Sequence, residues 1–140
     1  MIRQKVPEIY VEINLIFDSD FDVNTITEAL RMQPSGCENR ENTRINPITK
    51  QHNPGYWTLK SKTFKSFFAE DAIDDLMSKI EGKVPLIKEI CNANNGEVSF
   101  DIVPSFYYKD TPSICFKREF LRLISELDAE IEIDMYTHGW

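Results

Sequence analysis

Carboxylates recur at every second position near the end of the chain, and they are the side chains whose spacing most suggests a function. Glu130, Glu132 and Asp134 alternate with apolar residues, so we expect them on one face of a strand. Two further segments share this alternation, which predicts a common surface bordered by tyrosines. The residues of this candidate partner surface are Tyr10, Glu12, Asp101, Glu130, Glu132, Asp134 and Tyr136.

An acidic surface with aromatic rings at its border is suited to attract a basic protein over a long range and to hold it after contact. The alternative is that the acids only keep an open strand face hydrated and discourage edge pairing, as strand charges commonly do. Both interpretations stay open at the level of the sequence.

A second candidate site is the polar stretch of residues 33–54, which has neither helical nor strand periodicity. Loops of this length inside compact domains are usually functional or disordered. Arg40, Arg44 and His52 are its candidate ligand-binding residues. The stretch is therefore interpreted either as a ligand loop or as an ordinary surface connection.

Motifs for metals and covalent catalysis are incomplete. The carboxylates of Asp18, Asp20 and Asp22 alternate as in the opening of an EF-hand loop, but that loop needs Gly at its sixth and Glu at its twelfth position. Val23 and Ala29 stand there. No paired zinc-ligand spacing, glycine-rich phosphate loop or nucleophile elbow is present, so we expect no metal and no cofactor.

The net charge excludes one large class of partner. The chain has 23 acidic and 16 basic residues and a formal net charge of -7, whereas sequence-independent nucleic-acid binding needs a basic face. No apolar run approaches the roughly 18 residues that span a bilayer. We therefore expect neither nucleic-acid nor membrane binding, and a homo-oligomer is left open.

The location is expected to be cytoplasmic. Polar residues interrupt the opening apolar segment before it reaches signal-peptide length. The three cysteines, Cys37, Cys91 and Cys115, are odd in number and far apart, which favours free thiols in a reducing compartment. Cys91 and Cys115 lie in apolar stretches and are expected to be buried.

The elements that position these residues follow from apolar periodicity. Strands are predicted at residues 9–17, 56–61, 98–102, 114–116 and 129–136. Helices are predicted at residues 25–32, from 69 to about 81, from 85 to 91 and from 120 to 127. In the last predicted strand, Ile131, Ile133 and Met135 are expected to face the core.

Strands with one apolar and one polar face indicate a sheet that is covered on one side only. We therefore predict an α+β fold of one domain over residues 1–140. It is a two-layer sandwich with a mostly antiparallel sheet of four or five strands and helices on one face. The order of strands and helices hints at a ferredoxin-like arrangement.

Three short segments resemble the bacterial family called domain of unknown function 4279. They are Phe21-Asp22 with the following Ile26-Thr27-Glu28 and Pro34, then Gly55 through Ser61, and finally Leu127 through Asp134 before Tyr136. The resemblance extends over nearly the whole chain. It implies no settled activity, so it supplies no catalytic residues.

These features together favour a noncatalytic binding or interaction domain, such as an immunity-like inhibitor or an accessory protein that uses its acidic sheet face. The alternative is a small-molecule-binding or hydrolytic enzyme that uses the loop of residues 33–54. Whether the protein is an enzyme is uncertain from the sequence, and the absence of catalytic motifs favours the first hypothesis.

Overall fold

The computed structural model describes residues 4–139. Within that range, seven strands form one mixed sheet and four α-helices accompany it. The strands are β1 (Glu8–Phe17), β2 (Gly36–Glu38), β3 (Gly55–Lys60), β4 (Phe64–Lys65), β5 (Gly96–Tyr107), β6 (Glu130–Ile133) and β7 (Tyr136–His138). The helices are α1 (Asn24–Leu30), α2 (Glu70–Ile80), α3 (Val84–Ala93) and α4 (Arg118–Glu126).

The sheet has the strand order β2-β3-β1-β5-β6. Strand β4 also pairs with β1, next to the start of that strand, and β7 pairs with the end of β5. Pairs are antiparallel except β5–β6 and β5–β7. Parallel neighbours need a long crossover, and α4 lies in the connection from β5 to β6. The α+β prediction is confirmed, whereas the strand number and the ferredoxin-like order match only in part.

One buried cluster lies between the sheet and the helices. All five odd-numbered side chains from Ile9 to Phe17 in β1 are fully buried, and the even-numbered ones are more exposed. Trp57 of β3 and Phe100 of β5 belong to the same cluster. The helices contribute Ile26, Leu30, Ala72, Ile73, Leu76, Ile80, Ile87, Cys91, Phe120 and Leu123. The opposite face of the sheet is therefore the one that carries the polar side chains of β1.

The predicted last strand is interrupted because of a proline in its neighbour. The N–H of Asp134 donates to the Ile102 carbonyl. In a parallel ladder the N–H of residue 104 would in turn donate to the backbone carbonyl of Asp134. Residue 104 is a proline, which has no N–H. The pairing therefore ends at Ile133 and resumes at Tyr136.

Three expectations about individual residues were wrong. Ile133 and Met135 are 43% and 58% exposed, because they lie at the sheet edge and not under the helical layer. Cys115 is exposed, unlike Cys91. Residues 114–116 form no strand, and only Ser113 makes an isolated bridge there, to Phe68.

The stretch of residues 33–54 contains more structure than its composition indicates. Strand β2 adds to the edge of β3, and Arg40–Asn42 forms a short 3-10 helix. Ile45 and His52 make an isolated antiparallel bridge. No helix within residues 4–139 has the length and apolar character needed to cross a membrane.

Candidate functional site

The strand register aligns charged side chains into a row across the uncovered face of the sheet. Lys60 of β3 lies opposite Glu12 of β1, and Glu12 lies opposite Asp101 of β5. Asp101 in turn pairs with Glu132 of β6. Since paired residues of neighbouring strands project to the same side, three carboxylates and one ammonium group share this row.

A second row lies beside the first; it consists of neutral polar residues and ends at one acid. It runs through Thr58, Asn14, Ser99 and Glu130 on the same four strands. Together with Tyr10, Asp134 and Tyr136, the acids of both rows make up the surface predicted from the sequence. We call Tyr10, Glu12, Asp101, Glu130, Glu132, Asp134 and Tyr136 the acidic face.

Hydrogen bonds between the two rows orient Asp101. The Thr58 hydroxyl donates to Asn14 Oδ1 at 2.6 Å, and Asn14 Nδ2 donates to Asp101 Oδ2 at 3.0 Å. The other carboxylate oxygen of Asp101, Oδ1, is buried and receives no hydrogen bond from the residues that the structure describes. One oxygen of Asp101 is thus held in place while the other still needs a donor.

The Glu12 carboxyl is close enough to Asp101 to share a proton with it. Partial burial raises the pKa of Glu12, and a hydrogen bond to Asp101 and the negative charge of Asp101 raise it further. Lys60 and Asn14 act in the opposite direction. When Glu12 is protonated, its carboxyl group would supply a hydrogen-bond donor toward the Asp101 carboxylate.

Tyrosines border the acidic face. The Lys60 ammonium lies over the Tyr10 ring, 4.9 Å from its centroid, and the Tyr136 hydroxyl donates to Asp134 Oδ2 at 3.3 Å. Burial and the nearby negative charges raise the pKa of Tyr10, and Asp134 raises the pKa of Tyr136. The tyrosines are neutral hydrogen-bonding and stacking groups beside the carboxylates.

A shallow cleft of about 720 Å³ lies along this face and extends toward α3. Its lining contains five carboxylates, those of Glu97, Asp101, Asp128, Glu130 and Glu132, and one ammonium group, that of Lys88. Asn14, Tyr56 and Thr58 contribute its neutral polar and aromatic part. Such a lining is suited to hold ammonium or guanidinium groups. No group of three or more metal-ligating side chains is found within residues 4–139.

The residues predicted in the loop are placed elsewhere. Arg40 makes ion pairs with Asp18 at 3.6 Å and with Asp20 at 3.8 Å. His52 Nδ1 lies 2.7 Å from the Thr43 carbonyl, so this nitrogen donates to the loop backbone. Arg44 is exposed. None of the three loop residues lines the cleft of the acidic face.

Sequence reasoning missed three residues of the site, Asn14, Thr58 and Lys60. They position Asp101 and Glu12, which were predicted, but they carry no negative charge and so were not selected. Their signal was available, because each is a polar residue that alternates with apolar residues in a strand with a two-residue period. Thr58 is nevertheless buried.

A family model described as "Domain of unknown function (DUF4279)" matches residues 7–138. The chain therefore belongs to this family, as the three sequence segments indicated. Neither a curated protein nor a solved structure matches the chain. The family description names no activity, so a function has to be argued from the surface itself.

Proposed function

We propose that this member of the family is a noncatalytic binding domain that captures a basic segment of a protein partner on its acidic face. The observation that carries the proposal is the excess of five carboxylates over one ammonium group in the cleft lining. Asp101, Glu130 and Glu132 belong to the acidic face, and Glu97 and Asp128 line the same cleft beside it. An inhibitor or accessory protein could act in this way by covering the basic surface of its partner. The immunity-like role expected from the sequence is one form of this activity.

The two parts of the acidic face contribute differently to such binding. Glu130, Glu132 and Asp134 are exposed, so they act mainly through long-range attraction, which speeds association and weakens as salt increases. Asp101 is half-buried and held by Asn14. Because solvent and salt screen a half-buried charge less than an exposed one, the attraction of Asp101 for a partner cation should weaken less with salt than that of the exposed acids.

The local cation does not cancel the negative charge of this face. Lys60 lies over the ring of Tyr10, which places its charge at the β3 side of the row. The carboxylates of Glu130 and Glu132 are at the other side, on β6. The row is therefore positive at its β3 end and negative at its β6 end. The β6 end is the one that attracts a basic segment.

The test removes the three exposed charges without changing side-chain size. In the variant E130Q/E132Q/D134N, affinity for a synthetic peptide rich in lysine and arginine should fall by at least about tenfold, which is roughly 1.4 kcal/mol. Fluorescence anisotropy of the labelled peptide measures the affinity, and repeating the titration at several salt concentrations should show a weaker salt dependence for the variant.

The matched control is E81Q/E89Q/E126Q, which removes the same charge from exposed positions in α3, in α4 and directly after α2. It should keep nearly all of the affinity, and both variants should unfold at nearly the wild-type denaturant concentration. Equal losses in the two triple variants would mean that net charge alone attracts the peptide. That result would refute the proposed role of the acidic face.

A further inference from the structure

Strand β6 forms one edge of the sheet. It pairs with β5 on one side, and no strand within residues 4–139 pairs with its other side. An open edge offers backbone N–H and C=O groups to an added strand, and proteins usually protect such edges. The side chains of this edge show what kind of strand it could accept.

The backbone direction of β6 can be worked out from one hydrogen bond. Because the N–H of Asp134 points toward β5, alternation along the strand directs the backbone groups of Ile131 and Ile133 outward. The outward groups are thus those of the apolar residues. The acidic residues Glu130 and Glu132 use their backbone groups toward β5.

The side chains at this edge are divided between the two faces of the sheet. Ile133 and Met135 are 43% and 58% exposed on the apolar side, where no neighbouring strand among the described residues covers them. Glu130 and Glu132 are exposed on the acidic side. An added strand would meet carboxylates on one face and apolar side chains on the other.

Charge complementarity specifies the occupant. The charged row runs from Lys60 through Glu12 and Asp101 to Glu132, and the next row ends at Glu130. A side chain added at the following position of either row would lie directly beside a carboxylate, where opposite charge is favoured. The fitting strand has basic residues at every second position.

We propose that β6 binds an extended segment of a partner protein, in which basic and apolar residues alternate, as an additional strand of the sheet. The basic side chains lie over the acidic face, and the apolar ones cover Ile133 and Met135. Backbone hydrogen bonds to Ile131 and Ile133 hold the segment, as in other cases of strand addition. This inference rests on the proposed function and specifies how the basic segment is bound.

A second copy of the chain is a poorer occupant. Two β6 strands paired across a twofold axis would bring the Glu130 and Glu132 carboxylates of both copies close together, and like charges opposite each other destabilise a sheet. A basic segment instead removes the repulsion that already exists between these acids.

The test compares three versions of one synthetic peptide in which lysine and arginine alternate with valine. The first is unmodified, the second is N-methylated at the valines, and the third is N-methylated at the basic residues. In an antiparallel added strand the valine N–H groups point toward β6, and in a parallel one the basic residues' N–H groups do. We expect one methylated peptide to lose at least about tenfold in affinity and the other to bind nearly normally.

Hydrogen exchange provides the second measurement. The amide protons of Ile131 and Ile133 should exchange more slowly when the unmodified peptide is bound, while the amide of exposed Glu126 serves as a remote control. Protection of Ile131 and Ile133 in the free protein at micromolar concentration, together with a dimer in sedimentation, would show that a second copy occupies the edge, and this would overturn the proposal.

The outcomes separate this inference from the proposed function. Strand addition is refuted if both N-methylated peptides bind like the unmodified one, or if both lose affinity equally, while E130Q/E132Q/D134N still weakens binding. The proposed function survives in that case as capture by charge alone. If the unmodified peptide does not bind the wild-type protein, both proposals fail.

Discussion

The acidic face and the loop of residues 33–54 were both predicted as candidate sites, and they differ in what their polar side chains contact. In the loop, Thr43 and His52 bond to backbone carbonyls of the loop itself, and Arg40 pairs with Asp18 and Asp20. On the acidic face, Glu130 and Glu132 project from a regular strand into solvent. Arg40, Thr43 and His52 are thus already paired with other groups of the protein, whereas the Glu130 and Glu132 side chains are exposed.

This difference follows from how each region satisfies its backbone. A strand inside a sheet bonds its N–H and C=O groups to its neighbours, so its polar side chains need not do so. An irregular loop lacks that ladder and recruits side chains to complete its hydrogen bonds. In this chain, the paired polar residues of the loop are therefore less free to contact a ligand than Glu130 and Glu132.

Gly55→Ala is expected to have the largest effect on stability, and it tests how tightly the loop is packed against β3. A Cβ at residue 55 would lie 2.9 Å from the backbone nitrogen of Arg40 and 3.0 Å from the Glu38 carbonyl oxygen. Backbone atoms cannot move aside cheaply, so the loop must shift away from β3. We expect the free energy of unfolding to fall by about 1–3 kcal/mol, measured by denaturant titration.

Gly36→Ala is the matched control for this variant. The nearest atom to its new Cβ is in the Tyr56 ring at 3.8 Å, an ordinary contact. It should change the stability by less than about 0.5 kcal/mol. If Gly55→Ala were equally mild, the close packing of the loop against β3 would not be what holds the loop in place.

The central strand of the sheet was predicted more completely from the sequence than the strands at its edge. Alternation from Ile9 to Phe17 defined β1 and its two faces, because burial of one face imposes a two-residue period. The division of the last strand depended on Pro104 in another strand, and the register that aligns the two is a long-range property. The same limit concealed the exposure of Ile133 and Met135.

The candidate site was predictable only in part, for a similar reason. Alternation identified the acids, but the pairing of Glu12 with Asp101 requires the antiparallel alignment of β1 with β5. The role of Asn14 as the donor to Asp101 depends on that alignment as well. In the loop, β2 and the bridge between Ile45 and His52 were missed because both are short and rely on contacts distant in sequence.

A smaller effect is expected from Thr43→Val in the loop. The Thr43 side chain is buried, and its hydroxyl lies within hydrogen-bond distance of the carbonyls of Arg40 and Asn53. Valine keeps the shape but removes the donor, at a cost of about 0.5–1.5 kcal/mol. Faster hydrogen exchange of the loop amides of Asn46 and Asn53 measures this local loosening.

Thr58→Val applies the same substitution to the acidic face. It removes the donor to Asn14, so it should weaken binding of the basic peptide while loop exchange stays at the wild-type rate. Accelerated loop exchange in Thr58→Val would indicate that the two regions are coupled. The contrast between them would then be wrong.

The smallest effects concern pH, and they should have opposite signs in the two regions. The folded state raises the pKa of Glu12 above its ordinary value of 4.5, so the native protein holds a proton that the unfolded chain releases. This contribution to stability is fully present below the unfolded pKa and is lost as pH rises through the folded pKa. Compared with Glu12→Gln, the wild-type protein should therefore lose stability as pH increases through this window.

Asp22 provides the opposite case beside the loop. Hydrogen bonds from Asn24 and Asn39 lower its pKa below the ordinary value of 3.8, so its contribution is present above that value and is lost as pH falls through the folded pKa. Relative to Asp22→Asn, the wild-type protein should gain stability as pH rises. Because the Asp22 carboxylate is exposed, solvent screens it, and its slope should be the shallower one. Denaturant titrations of the wild-type protein and both variants between about pH 3 and pH 7 measure how each stability difference changes with pH. If the two differences changed with pH in the same direction, the folded state would favour the charged form of Glu12 as it does that of Asp22, and the contrast would be wrong.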